Sequence, residues 1–128
     1  MPSTSTSIHR LHPGSRYCEA SIHCGTVYLS GQVPDDASQD IAGQTRQVLA
    51  AIDRLLAEAG SDRSRILMAQ IFIADMADIG AMNAVWDQWI RPGHAPARAT
   101  VQAGLADPLW RLEVVVTAAC DEAPGASN

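Results

Sequence analysis

Hydrophobic and polar positions alternate with a period of two between Ala97 and Ala103, so Arg98, Thr100 and Gln102 share one face of a strand and Ala99, Val101 and Ala103 the other. After a turn, Leu112 to Ala119 is apolar almost throughout, as in a strand covered on both faces, yet it holds one carboxylate, Glu113. The run Arg65 to Ala74, with Ile66, Leu67, Met68, Ile71, Phe72 and Ile73, predicts another long strand buried on both faces. Helical spacing appears in two places. Ile41, Val48, Leu49, Ile52, Leu55 and Leu56 form one stripe, with Gln44, Gln47, Arg54 and Glu58 on the remainder, Ser38 as N-cap, Asp40 in the first turn and Gly60 as the left-handed C-cap residue. Ile79, Met82, Val85, Trp86 and Trp89 form the other, from Met76 or Asp78 to Ile90, ended by Pro92-Gly93. Near the start, Arg16 to His23 and Thr26 to Ser30 read as a hairpin turning at Gly25, preceded by a short edge strand within Ser7 to His12.

The order β-β-α-β-α-β-β describes an α+β sandwich with two helices packed on one face of a mixed sheet. If the valines of the last strand line both of its faces, the face away from the helices is apolar, and self-association is the expected cover. At 128 residues and 47% hydrophobic, the whole chain, residues 1–128, reads as a single domain. Residues 1–7 and 121–128 are polar, and loose ends are expected there.

Charge and composition narrow the function. The net charge is −5 and all nine basic residues are arginine, which leaves no basic stripe for a phosphate backbone, so nucleic acid is not an expected partner. Every apolar run is interrupted well short of the roughly 20 residues a membrane helix needs. Met1 to Ser7 lacks the features of a signal peptide or anchor, which points to a cytoplasmic protein. Cys18, Cys24 and Cys120 are an odd number at irregular spacing and read as unpaired thiols. No zinc-binding pattern follows His23-Cys24, so no metal and no cofactor are expected. By residue type alone, Arg98 and Glu113 on neighbouring strands are better explained by a cross-strand or subunit ion pair than by catalysis.

Four segments carry a resemblance. Ser30-Gly31-Gln32 after a strand, Asn83-Ala84-Val85-Trp86-Asp87-Gln88-Trp89 in the second helix, Pro96-Ala97-Arg98-Ala99-Thr100-Val101, and Leu112-Glu113-Val114 resemble, in order and spacing, the Rid family of reactive-intermediate deaminases, the YjgF-like proteins. The match spans roughly Tyr17 to Ala119, and the Pro-Ala-Arg block is its most specific part. The resemblance implies a chorismate-mutase-like fold assembled as a homotrimer with active-site clefts between subunits. It also implies hydrolysis of small imino or enamino acids such as 2-aminoacrylate, releasing ammonia and a 2-keto acid.

The implied chemistry suits the residues. A guanidinium pairs a planar carboxylate through two parallel hydrogen bonds, which gives Arg98 the anchoring role. Delivering water to an imine carbon requires a group that exchanges protons with it, the role left to Glu113. The resemblance places Tyr17 and Ser30 in the same cleft, lets Gly31 supply a backbone amide, and gives Asn83 a supporting part. Thr100 is a departure: many members carry Cys there, and a hydroxyl holds water but cannot do thiol chemistry. Leu105-Ala106-Asp107-Pro108-Leu109-Trp110 likewise replaces a common Leu-Pro with a bulkier turn. Two other functions stay open: a trimeric module that binds or senses small carboxylates without turnover, and an endoribonuclease or translation-inhibitor role, against which the acidic balance argues.

Overall fold

The computed structural model describes residues 7–121. Strands β1 (His9–Leu11), β2 (Ala20–His23) and β3 (Thr26–Leu29) lead into helix α1 (Ile41–Glu58). Strand β4 (Ile66–Ile73), helix α2 (Ile79–Trp89) and strands β5 (Ala97–Gln102) and β6 (Leu112–Ala119) follow. All six strands join one sheet in the order β1-β2-β3-β6-β4-β5. Only β4 and β5 pair in parallel, joined by the crossover through α2, and the other pairings are antiparallel. Two helices on one face of a mixed sheet is the expected α+β arrangement.

The β2–β3 turn is tight because Cys24 and Gly25 both adopt positive φ, 50° and 77°, the conformation a two-residue hairpin needs. The buried stripe of α1, including Val48, Leu49, Ile52 and Leu56, packs against β6, β3 and α2. Its C-terminus closes as expected. Gly60 takes φ 78°, its N–H reaches the Ala57 carbonyl at 3.2 Å, and the Ser61 N–H reaches Leu56 at 2.8 Å. The N-terminus differs from expectation: Asp40, not Ser38, is the cap, accepting from the Gly43 N–H at 2.8 Å. Ser38 instead bonds the Asp36 carboxylate through both its amide and its hydroxyl, so an Asx turn takes the serine before the helix begins.

The expectation of strands covered on both faces is corrected for β4 and β6. In β6 Leu112, Val114, Val116 and Ala118 are buried, while Glu113, Val115, Thr117 and Ala119 are only partly so. In β4 Ala69, Ile71 and Ile73 are buried, but Met68 and Gln70 on the other face are exposed. Helices cover only the first of these faces, so among the described residues no helix covers the second, and Tyr28, Met68 and Val101 there are 52%, 39% and 46% exposed. A second correction concerns order. β4 lies between β5 and β6, so Arg98 and Glu113 are not on neighbouring strands.

One buried polar side chain fixes the loop between β5 and β6. Gln44, fully buried on α1, donates to the carbonyls of Ala37, Gln39 and Leu109 and accepts from the Arg111 N–H at 2.8 Å, a satisfied cluster where an apolar residue would leave these groups unpaired. No helix among the described residues is long and apolar enough to cross a membrane. No disulfide joins Cys18, Cys24 or Cys120. Of the polar ends expected to be loose, residues 1–6 and 122–128 lie outside the described residues. Asp121 is tied down, accepting from Arg65 at 2.9 Å and donating its N–H to the Gly60 carbonyl.

Candidate functional site

The residues singled out from the sequence gather into two groups on opposite faces of the sheet. Arg98 pairs in register with Ala69, which pairs with Val116, a row whose β4 and β6 members are buried on the helix side. Glu113 pairs with Phe72, which pairs with Val101, a row on the face without helices. Side chains opposed across a sheet share a face, so within one chain the guanidinium and the carboxylate point away from each other.

On the helix side, the Arg98 Cζ lies over the Trp86 ring, 5.2 Å from its centroid. This cation–π contact holds the half-buried guanidinium without using its N–H donors. Arg98 forms no ion pair or hydrogen bond among the described residues. Thr100, two places further along the same strand face, has a buried hydroxyl without a partner, and so does the side-chain carbonyl of Asn83, one helical turn before Trp86. Buried polar atoms are almost always bonded, so two unpartnered ones, on the strand of an uncommitted guanidinium and on the helix that carries it, mark open binding capacity.

Beside the start of β6, Gln32 and Val114 exchange both backbone hydrogen bonds, Gln32 N–H to Val114 carbonyl at 2.8 Å and Val114 N–H to Gln32 carbonyl at 3.0 Å. That bridge lays Ser30-Gly31-Gln32 alongside the start of β6. Glu113 occupies the space a side chain at Gly31 would take: a Cβ built there would lie 1.9 Å from Glu113 Oε2. The Glu113 carboxylate also lacks an ion pair or hydrogen bond among the described residues. The buried Gln32 side chain donates to the Ser30 carbonyl at 3.1 Å and hydroxyl at 3.3 Å, and the Ser30 N–H bonds the Glu19 carbonyl at 2.9 Å. Tyr17 lies on the approach to β2, two residues before Glu19, with 68% of its surface exposed.

The chain therefore brings Gly31 to Glu113, places Thr100 on the strand face of Arg98 and Asn83 one helical turn before the Trp86 beneath it, and keeps Arg98 and Glu113 apart. Two contributors escaped the sequence reading: Gln32, which orients Ser30, and Trp86, which carries Arg98. Gly31 was expected to offer its amide, and the room it makes for Glu113 was not foreseen. For Trp86 a signal existed, since it stands three residues after Asn83 on one helix face, but a buried tryptophan at helical spacing reads first as core. Among the described residues, no three His, Cys, Asp or Glu side chains come together as a metal site.

Fold and half-sites define a class: small α+β proteins with a mixed sheet, helices on one face, and an uncommitted arginine and glutamate on opposite faces. A family model described as Endoribonuclease L-PSP matches residues 7–120. A RutC family protein of Haemophilus ducreyi is 48% identical over 112 residues, covering 88% of this chain and 96% of that one. The RutC family protein YoaB of Escherichia coli is 44% identical over 113 residues, covering 88% and 98%. A crystal structure of a YjgF protein family member from Neisseria meningitidis has a TM-score of 0.88 at 46% identity, covering 92% of this chain and 98% of that one. The chain belongs to the endoribonuclease L-PSP family, the YjgF-like family to which the Rid resemblance pointed.

Proposed function

We propose that this protein hydrolyses small 2-imino and 2-enamino acids, 2-aminoacrylate among them, to ammonia and a 2-keto acid, in a cleft that two copies of the chain build together. The observation that carries the reading is the pair of uncommitted charges. Arg98 sits on Trp86 with its donors unused, and Glu113 is cleared by Gly31 with its carboxylate unused. On opposite faces of one sheet they serve one substrate only if the second face comes from another chain. The bare apolar face with Tyr28, Met68 and Val101 supplies a surface for such assembly, and a closed homotrimer with three clefts satisfies it.

In this cleft Arg98 grips the substrate carboxylate through two parallel hydrogen bonds. An enamine first takes a proton on its terminal carbon to become the imine. Glu113 of the other chain then removes a proton from water as its oxygen adds to the carbon of the protonated imine, returns that proton to the nitrogen, and accepts the hydroxyl proton as the carbon–nitrogen bond breaks, so ammonia leaves and the keto acid remains. Thr100, Ser30 and Tyr17 hold water or substrate by hydroxyl groups, the Gly31 amide is available to an oxygen, and the Asn83 carbonyl accepts an N–H. No cofactor is needed to balance the reaction.

The test is keto-acid release from enzymatically generated 2-aminoacrylate and from a panel of amino-acid-derived imines, with sedimentation alongside. Turnover by a trimer, lost in Arg98→Ala, is expected. Ligand binding without turnover would leave the carboxylate-sensing reading, cleavage of RNA would favour the activity in the family's description, and a monomer at micromolar concentration would remove the shared cleft.

A further inference from the structure

We propose that Gly31 is a positioning residue whose missing side chain sets where the Glu113 carboxylate stands. This rests on the hydrolytic reading above and adds to it a determinant of the carboxylate's placement. The bridge between Gln32 and Val114 puts Gly31 opposite Val115, and therefore diagonal to Glu113 on the same sheet face. A Cβ at position 31 would meet Glu113 Oε2 at 1.9 Å, Cδ at 2.8 Å and Cγ at 3.1 Å, so the carboxylate fills the volume that any other residue type would claim. Both backbone hydrogen bonds of the bridge hold the glycine's own strand in place, at 2.8 and 3.0 Å, so the backbone cannot easily withdraw. The Glu113 side chain can. Its far end is flexible, while nothing among the described residues anchors its carboxylate by hydrogen bond or ion pair. A methyl group at residue 31 therefore displaces the carboxylate and leaves the fold standing.

This differs from the usual reasons for a glycine after a strand. Among the described glycines, Gly25, Gly60 and Gly93 take positive φ and Gly31 does not, so backbone conformation does not require it. Close approach does. Placement of a proton-transfer group by about 1 Å is enough to change turnover by about 10²-fold, which makes this clearance a functional constraint.

A cycle of Gly31→Ala, Glu113→Asp and the double variant tests it, because the shorter Asp withdraws from the position-31 Cβ. In the parent background, Gly31→Ala is expected to lower kcat about 10²-fold while KM changes less than about threefold and the melting temperature stays near that of the parent. In the Glu113→Asp background the same alanine is expected to cost less than about threefold in kcat. Equal losses in both backgrounds would overturn the proposal. A structural readout separates it from the activity assignment: in protein labelled with carbon-13 glutamate, Gly31→Ala should move the Glu113 carboxyl resonance. A moved resonance in a protein inactive toward imines would retain the positioning role and reject the hydrolytic one. An unmoved resonance would reject the positioning role whatever the activity.

Discussion

Two arginines in this chain stand over two tryptophans at nearly the same distance and do opposite things. The Arg63 Cζ lies 5.1 Å from the Trp89 centroid and the Arg98 Cζ 5.2 Å from that of Trp86, and the two indoles are themselves 5.5 Å apart. Arg63 is saturated. It donates twice to Asp53, at 3.1 and 2.6 Å, and once to the Trp89 carbonyl at 2.9 Å, while the Trp89 indole N–H completes the same carboxylate at 2.9 Å. Arg98 has the stacking and none of the hydrogen bonds. The first arrangement closes the end of α2 onto α1, and the second keeps a cation in place with its donors available. Equal geometry over a ring thus says little about role; the donors left without partners say more.

The widest separation between the two is expected on activity. Arg98→Ala should cost at least about 10²-fold in kcat/KM for imine hydrolysis, the size of two lost charge-assisted hydrogen bonds, with no more than a small change in urea midpoint. A midpoint that drops as in an Asp53 variant would make Arg98 structural after all. Asp53→Ala should do the reverse. It strands the Arg63 guanidinium and the Trp89 indole N–H, both partly shielded, and should cost about 2 kcal/mol in urea unfolding with kcat unchanged. A cost no greater than that of removing the exposed Arg54 would show that the Arg63–Asp53–Trp89 cluster does not stabilise the fold. Next in size, Trp86→Leu takes away the platform but not the guanidinium, and should raise KM about tenfold with kcat less affected. An unchanged KM would show that the strand alone positions Arg98.

The smallest effect concerns a pair outside both arrangements. His12 Nε2 lies 2.9 and 2.8 Å from the two Glu58 oxygens, clasping the residue after β1 to the end of α1. The hydrogen bond to Glu58, helped by its negative charge, raises the His12 pKa above the ordinary value of 6.5. A raised folded-state value means that the clasp contributes fully below the ordinary value and fades as pH rises through the folded-state value. The difference in urea midpoint between the parent and His12→Asn should therefore shrink as the pH is taken from about 5.5 to about 8.5. A difference that grows over that range would contradict the assigned pairing.

Much of this fold was legible in the chain because its signals are local. The stripe from Ile41 to Leu56, the Gly60 stop and the Gly25 turn each depend on residues within a few positions of one another, and each appears where expected. The cap at Asp40 was not, because Ser38 and Asp40 are both good caps, and a hydrogen bond from Ser38 to Asp36 decided between them. Covering both faces of β4 and β6 asked too much of the pattern: apolar residues on two faces show that both avoid water, not that one chain covers both. Within the candidate site, the residue types were readable. Their grouping was not, since Gly31 meets Glu113 through pairing across about eighty positions of sequence.

The alternation of Arg98, Thr100 and Gln102 against Ala99 and Val101 was decided by the chain alone, because successive strand residues must point to opposite faces. Likewise local are the elements themselves and the presence of one arginine and one glutamate with suitable chemistry. Which face looks toward the helices, which strand lies between β5 and β6, and hence that Arg98 and Glu113 diverge, were decided only when the strands paired. Period-two alternation orders side chains within a strand, whereas order and register between strands come from long-range hydrogen bonding and the burial of one face against α1 and α2.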